Sequence, residues 1–355
     1  SEIILNVLSN PSIASKKWVY EQYDHQVQVN TVFKPGEADS ALIRLRSQNQ
    51  IHKKDQKFSG VAASVDCNNR WVNLDPYRGS IAAVAEASRN VSCVGALPIA
   101  ITNNLNFSSP ETEMGYWQLA SSCEGITKAC NILETPVTGG NVSLYNESKN
   151  DNGEVTPIQP TPVIGMVGVI DDVNKAVSTS WKNINDEIWI IGSSASEITI
   201  NASSYLEYTH GLIKGRPPII ELNDEKLCQE FLREAILSDL ILSSHDISDG
   251  GLAIALAECC ILSAMGAFIN LNKVDREDKI LFGEGGSRII FSVDKSKNHE
   301  WSEFLKIKKI KLPQSILIEK IGYVANDSLC IKNSDNILCD LKISTLTDKF
   351  NNGLT

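Results

Sequence analysis

Residues 138–147, Thr-Gly-Gly-Asn-Val-Ser-Leu-Tyr-Asn-Glu, concentrate more potential chemistry than any other stretch of this chain. Gly139 and Gly140 remove two Cβ atoms, so the backbone can take positive φ and come close to a ligand. Asn141, Ser143 and Asn146 alternate with Val142 and Leu144, the pattern of a strand with one wet face. An amide and a hydroxyl two residues apart, beside free backbone N–H groups, suit a phosphate or a hydrated Mg²⁺. The same residues also spell a Gly-Gly turn into an edge strand.

Three further stretches carry similar chemistry. Asn103, Asn104 and Asn106 offer uncharged donors and acceptors and read as a turn after a buried strand at 97–102. Asp66 and Asp75 mark a strand end and a helix start, where they either meet at a metal or act as solvated ends and caps. Ser243 to Leu252 brings Asp246 and Asp249 to Gly250-Gly251 at the start of a helix, an anion-binding arrangement in which Asp249 can also cap. Leu281 to Phe291 places another Gly-rich turn, with Glu284, before a strand. Neither a Walker A pattern nor a GxGxxG occurs, so no standard nucleotide motif accounts for these loops.

The elements that position these residues follow from periodicity. Ile3, Ile4, Val7 and Leu8 predict a short helix closed by Asn10-Pro11, followed by an aromatic and polar packing arm at 15–25. Alternation predicts strands through Ala41, Ile43 and Leu45 and through Val61, Ala63 and Val65, around a charged loop at 47–57. A small-residue helix spans Gly79 to Cys93, and a long helix at 112–134 positions the Gly-Gly stretch. After a polar insertion at 148–156, a strand opened by prolines runs to Ile170, and the domain boundary falls at 175–185. A buried strand at 187–192, a helix at 224–239, the helix after Gly251 and a closing αβ pair with a polar tail make the second domain. The division is therefore 1–50 for arm and first strand, 51–178 for the first domain and 185–345 for the second.

Composition narrows the class. The chain has 355 residues, 42% hydrophobic and 21% charged, with net charge −10. That describes a globular protein with no basic stripe for nucleic acid and no run apolar enough to span a membrane. The nine cysteines show no CxxC pair, which reads as reduced thiols of a cytoplasmic protein, not a zinc site or disulfide framework.

At this level of detail the motifs resemble a known family. Asp75-Pro-Tyr-Arg-Gly-Ser-Ile-Ala-Ala-Val-Ala-Glu-Ala-Ser-Arg-Asn90, Thr102-Asn-Asn-Leu-Asn-Phe107, Pro136 to Glu147 and Pro160-Thr-Pro-Val-Ile-Gly-Met-Val-Gly168 resemble phosphoribosylformylglycinamidine synthase, synthetase subunit of the PurL type. Ser244 to Leu252 and Leu281 to Arg288 extend the likeness into the second domain, and the match is to the C-terminal half of the small-subunit form. The resemblance implies an α+β fold: an aminoimidazole ribonucleotide (AIR) synthetase-like domain forming half of a pseudo-dimeric β-barrel, then an α/β domain. It also implies a ligase of purine biosynthesis that joins formylglycinamide ribonucleotide and glutamine-derived ammonia at the expense of ATP, with Mg²⁺ offsetting phosphate charge. The partners implied are an N-terminal half, a glutaminase subunit and a small bridging subunit.

Carried over by position, Gly140 resembles an ATP contact, Asn141 a Mg²⁺ ligand and Ser143 a substrate contact. Asn103 stands where the family commonly has an ATP-contacting Asp. Asp66, Asp246, Asp249 and Glu284 are candidates for an auxiliary nucleotide site. The family's catalytic histidines lie in the other half, so no catalytic residue is assigned here, and His25, His52, His210, His245 and His299 are not given that role. Two other readings compete: a non-catalytic scaffold half, and a homodimeric AIR synthetase-like ATP enzyme.

Overall fold

The computed structural model describes residues 1–46, 57–271 and 276–354. The charged loop and His52 fall outside these residues.

The first sheet grows from the alternating segments. Strands β1 (Thr31–Phe33), β2 (Ala41–Arg44), β3 (Gly60–Asp66), β4 (Leu97–Asn106) and β5 (Val137–Ser143) precede a small hairpin, β6 (Glu147–Lys149) with β7 (Val155–Pro157), and then β8 (Thr161–Ile170). The hairpin occupies the stretch read from sequence as a polar insertion. The sheet order is β1-β2-β3-β8-β4-β5, and only the last pair is parallel. Helices α1 (Glu2–Leu8) and α2 (Lys17–Tyr20) come before this sheet, α3 (Asn69–Leu74) and α4 (Pro76–Cys93) follow β3, and α5 (Glu113–Leu133) follows β4. Asp75 caps α4 by accepting from Arg78 N, with Pro76 in the first turn, so the helix starts three residues before the small-residue pattern does. Thr112 caps α5 in the same way.

Helices α4 and α5 cover one face of this sheet, burying Leu42, Ile101, Leu105, Ile164 and Met166. Its opposite face stays open and apolar: Val65 is 73% exposed and Leu97 51%.

The second sheet contains β9 (Glu187–Ser193), β11 (Ile241–Asp246), β12 (Gly266–Leu271), β14 (Ile289–Val293), β15 (Ile316–Ala325), β16 (Ser328–Asn333) and β17 (Asn336–Lys342). Two short strands, β10 (Ile198–Thr199) and β13 (Glu284–Gly285), pair beside it. The order is β11-β14-β9-β15-β12-β16-β17, so the end of the chain contributes three strands where the sequence pattern showed one αβ pair. After α6 (Ser204–His210), helix α7 (Leu222–Leu237) packs on one face with α10 (Asn298–Lys309), around Phe231, Phe291 and Trp301. On the other face lie α8 (Gly251–Ser263), α9 (Glu277–Phe282) and α11 (Ile343–Asn351). Ile4, Val7 and Leu8 of α1 are buried in this second core, so the chain starts in the second domain, crosses to the first and returns.

Candidate functional site

The parallel β4–β5 pair sets out the first group of candidates. Its register places Asn103 opposite Gly140, Asn104 opposite Asn141 and Asn106 opposite Ser143. The three asparagines are therefore strand residues, not a turn, because β4 is held between β8 and β5. Opposed residues of a parallel pair share a face, and successive residues alternate. Asn103 and Gly140 thus lie on the helix-covered side with Ile101 and Leu105, while Asn141 and Ser143 lie on the open side. The site wraps the sheet edge instead of lining one face.

Gly140 earns its place differently from the sequence expectation. Neither it nor Gly139 has a positive φ. What matters is the missing Cβ: one built at Gly140 would lie 2.0 Å from Asn103 Oδ1 and 2.6 Å from Asn103 O. The alternation expected to leave one face wet also fails, since Val142 is exposed along with its neighbours at the uncovered edge. Asn141 Nδ2 donates to Asn104 Oδ1 at 3.1 Å, which leaves Asn141 Oδ1 outward as an acceptor. Ser143 Oγ donates to Asn146 Oδ1 at 3.3 Å, and Asn146 Nδ2 returns a bond to Ser143 O at 2.7 Å. The result is an uncharged row of oxygens suited to a hydrated cation.

A second group forms where the two domains meet. Asp66 at the end of β3 and Glu86 on α4 approach Asp246 at the end of β11 and Asp249 just before α8. Burial, then repulsion from Asp246, pushes the Asp66 carboxyl up to about 8. Burial and Asp66 hold Glu86 well above the usual range. Burial also raises Asp246 to about 6, with Arg89 opposing, and Glu284 to about 7, with Asp249 adding and Arg70 opposing. Asn90 Nδ2 reaches Asp66 Oδ2 at 3.5 Å.

Two arginines compensate part of this charge. Arg89 is held by both oxygens of Glu225, at 2.9 and 3.0 Å, and sits 3.5 Å from Asp246 Oδ2. Arg70 binds Glu207 and Asp249, each at 2.8 Å. Asp249 is consequently an ion-pair partner and not a cap; the α8 cap is Gly250, at φ +78°. Asp246 Oδ2 is buried without a hydrogen bond. A buried carboxylate oxygen with an ion-pair neighbour but no hydrogen bond, among carboxyls that resist ionising together, fits a hard divalent cation. The sequence brought Asp66, Asp246, Asp249 and Glu284 forward but missed Glu86, hidden in an alanine-rich helix. The signal was its spacing: Glu86, Arg89 and Asn90 lie three and four residues apart, on one helix face.

His245 is spoken for. Its Nδ1 lies 2.6 Å from Asp39 Oδ1 and its Nε2 3.1 Å from Glu258 Oε2. Burial works against the imidazolium, but Asp39 and Glu258 hold the pKa well above the usual histidine value. With Asp39 and Asp246 it forms the one grouping of three or more His, Cys, Asp or Glu ligand atoms close enough for a metal among the described residues. Both ring nitrogens are already engaged by carboxylates, so His245 with Asp39 and Glu258 reads as a structural tie between the approach to β2, β11 and α8. All nine cysteines are unpaired.

Comparisons with known proteins bear on the family and the fold. The N-terminal domain model of AIR synthase related proteins matches residues 38–170, and the C-terminal domain model matches 183–312. The chain is 68% identical, over its whole length, to the phosphoribosylformylglycinamidine synthase subunit PurL of Prochlorococcus marinus strain MIT 9312, of which it covers 46%. It is 52% identical to the PurL subunit of strain NATL1A, covering 45% of it. It thus spans about half the length of the curated relatives it matches. Among solved structures, PurL of T. maritima complexed with FGAR superposes with a TM-score of 0.71 at 18% identity, over 98% of this chain and 53% of that one. With its two matched domains and this identity along its whole length, the chain belongs to the AIR synthase related family, on its PurL branch.

Proposed function

We propose that this chain is the C-terminal half of an ATP-dependent ligase of purine biosynthesis, converting formylglycinamide ribonucleotide, ATP and ammonia to the amidine. The observation that carries the reading is the β4–β5 edge, where Asn103 covers Cβ-less Gly140 on one side and Asn141 and Ser143 project on the other. On this reading Asn103 and Gly140 contact ATP, with an amide hydrogen bond replacing the charged contact of the family's Asp. Asn141 Oδ1 holds Mg²⁺, which when bound neutralises phosphate charge, and Ser143 orients the substrate. The crevice of Asp66, Glu86, Asp246 and Asp249 is the auxiliary cation and nucleotide site. No catalytic acid or base is assigned to this chain.

The open apolar face of the first sheet supports a half-barrel completed by an N-terminal half, with glutaminase and bridging subunits supplying ammonia. Among the described residues no helix is long and apolar enough to cross a membrane, and we place the protein in the cytoplasm. The test is ADP release dependent on formylglycinamide ribonucleotide, with Mg²⁺ and ammonium as nitrogen donor. No turnover by the chain alone, restored by adding an N-terminal half, is the expected result. Turnover by the chain alone would overturn the shared site, and none in either mixture would leave a scaffold.

A further inference from the structure

A large cavity lies away from the β4–β5 edge. It has a volume of about 1240 Å³ and lies mostly in the second domain, between the end of β9, the loop after it, β15 and α9, with Arg78 of α4 also lining it. Its lining carries six basic and two acidic side chains among the described residues, in a chain of net charge −10. A concave site of reversed sign focuses field on anions. Arg78, Arg276 and Lys320 each have a carboxylate partner. Among the described residues, Arg216, Lys279 and Arg288 have no carboxylate within ion-pair distance.

Arg288 is the built part of the site. It is 5% exposed, and its side chain crosses Gly192, where a Cβ would lie 2.8 Å from Arg288 Cγ. Nε donates to Gly285 O at 3.1 Å and Nη2 to Gly283 O at 2.5 Å, so two carbonyls of the Gly-rich turn fix the guanidinium without neutralising it. Nη1 has no protein partner among the described residues. Burying a fixed guanidinium with no direct carboxylate partner at a cavity wall is costly unless an anion completes it. Ile190 and Leu317 give the cavity an apolar floor, and the Ser194 hydroxyl, bonded to Ser315 O at 3.0 Å, lies at its rim.

We propose that this cavity is a second ligand site, on a different sheet from the β4–β5 edge, and that it takes a phosphomonoester with a flat apolar body, as in a nucleoside monophosphate. Arg288, Lys279 and Arg216 receive the phosphate, and the floor at Ile190 and Leu317 receives the body. The volume accommodates a ligand of that size.

The experiment is calorimetric titration of this chain with AMP, ribose 5-phosphate and inorganic phosphate, without Mg²⁺, so that metal-dependent sites stay silent. AMP is expected to bind saturably and more tightly than the other two. The surface variant Arg216→Glu with Lys279→Glu, confirmed as folded by its thermal transition, should weaken AMP about tenfold or more, the loss typical of a charged hydrogen bond. Asn141→Ala should leave AMP binding unchanged. Three results would overturn the proposal: no AMP binding at millimolar concentration, equal affinity in the double charge reversal, or loss of binding in Asn141→Ala. The first two leave the β4–β5 edge untouched and the third would place AMP at that edge instead, so the two readings fail separately.

Discussion

The β4–β5 edge and the crevice between the domains handle charge in opposite ways. The edge presents neutral amides, a hydroxyl and a missing Cβ to solvent, with hydrogen bonds among its own side chains and to nearby backbone carbonyls. The crevice gathers carboxyls and two arginines in a buried space, and several carboxyls stay protonated into the neutral range. The edge can change with little effect on stability, because nothing in the core depends on it. The crevice joins two domains, so its chemistry and the protein's stability cannot be separated.

The contrast predicts effects of very different size. Arg89→Met leaves Glu225 buried and unpaired, and should destabilise the chain by about 3–5 kcal/mol in chemical denaturation. A loss below about 1 kcal/mol would mean that the crevice does not tie the domains.

Next comes pH. A carboxyl whose pKa is higher folded than unfolded binds more protons in the folded state, so its stabilisation is complete at low pH and is lost as pH rises through the folded value. For Asp246, Glu284 and Asp66 that window runs from about 4 to about 8. The melting temperature should therefore fall from about pH 6 to about pH 8 by a few degrees, and Mg²⁺ should restore it. Asp66→Asn should flatten the profile; an unchanged profile would break the contrast.

Gly140→Ala drives a methyl into Asn103 and should weaken ATP binding about tenfold, with only a modest change in melting temperature because the strand is exposed. The smallest structural effect belongs to Asn141→Ala: stability within about 0.5 kcal/mol of the parent, while Mg²⁺-dependent turnover of the reconstituted enzyme falls.

Much of this was legible in the sequence. The α4 and α5 helices, the strand alternation of β2, β3 and β8 and the Gly-Gly-Asn-Val-Ser segment were all found from spacing and motif. Misreadings occurred where tertiary pairing outweighed local preference. Asn103 to Asn106 has turn chemistry but is strand because β8 and β5 flank it. Gly140 was read for its backbone freedom, whereas its value is the space it leaves over Asn103, visible only once the parallel register is known. Glu86 was missed because a carboxylate in an apolar helix reveals its role only when the second domain closes over it.

The position of α1 has a mechanical consequence. The chain leaves the second domain at its first helix, builds the first domain and returns, with Ser15 N bonded to Phe350 O where the two ends of this path meet. The first domain is thus a loop clasped at both ends by the second. A single cut in the connection at 171–186 would leave α1 still docked in the second core, and the nicked protein would stay associated. Pulling the domains apart requires extracting α1 as well, so they should separate in one cooperative step and not as two independent beads.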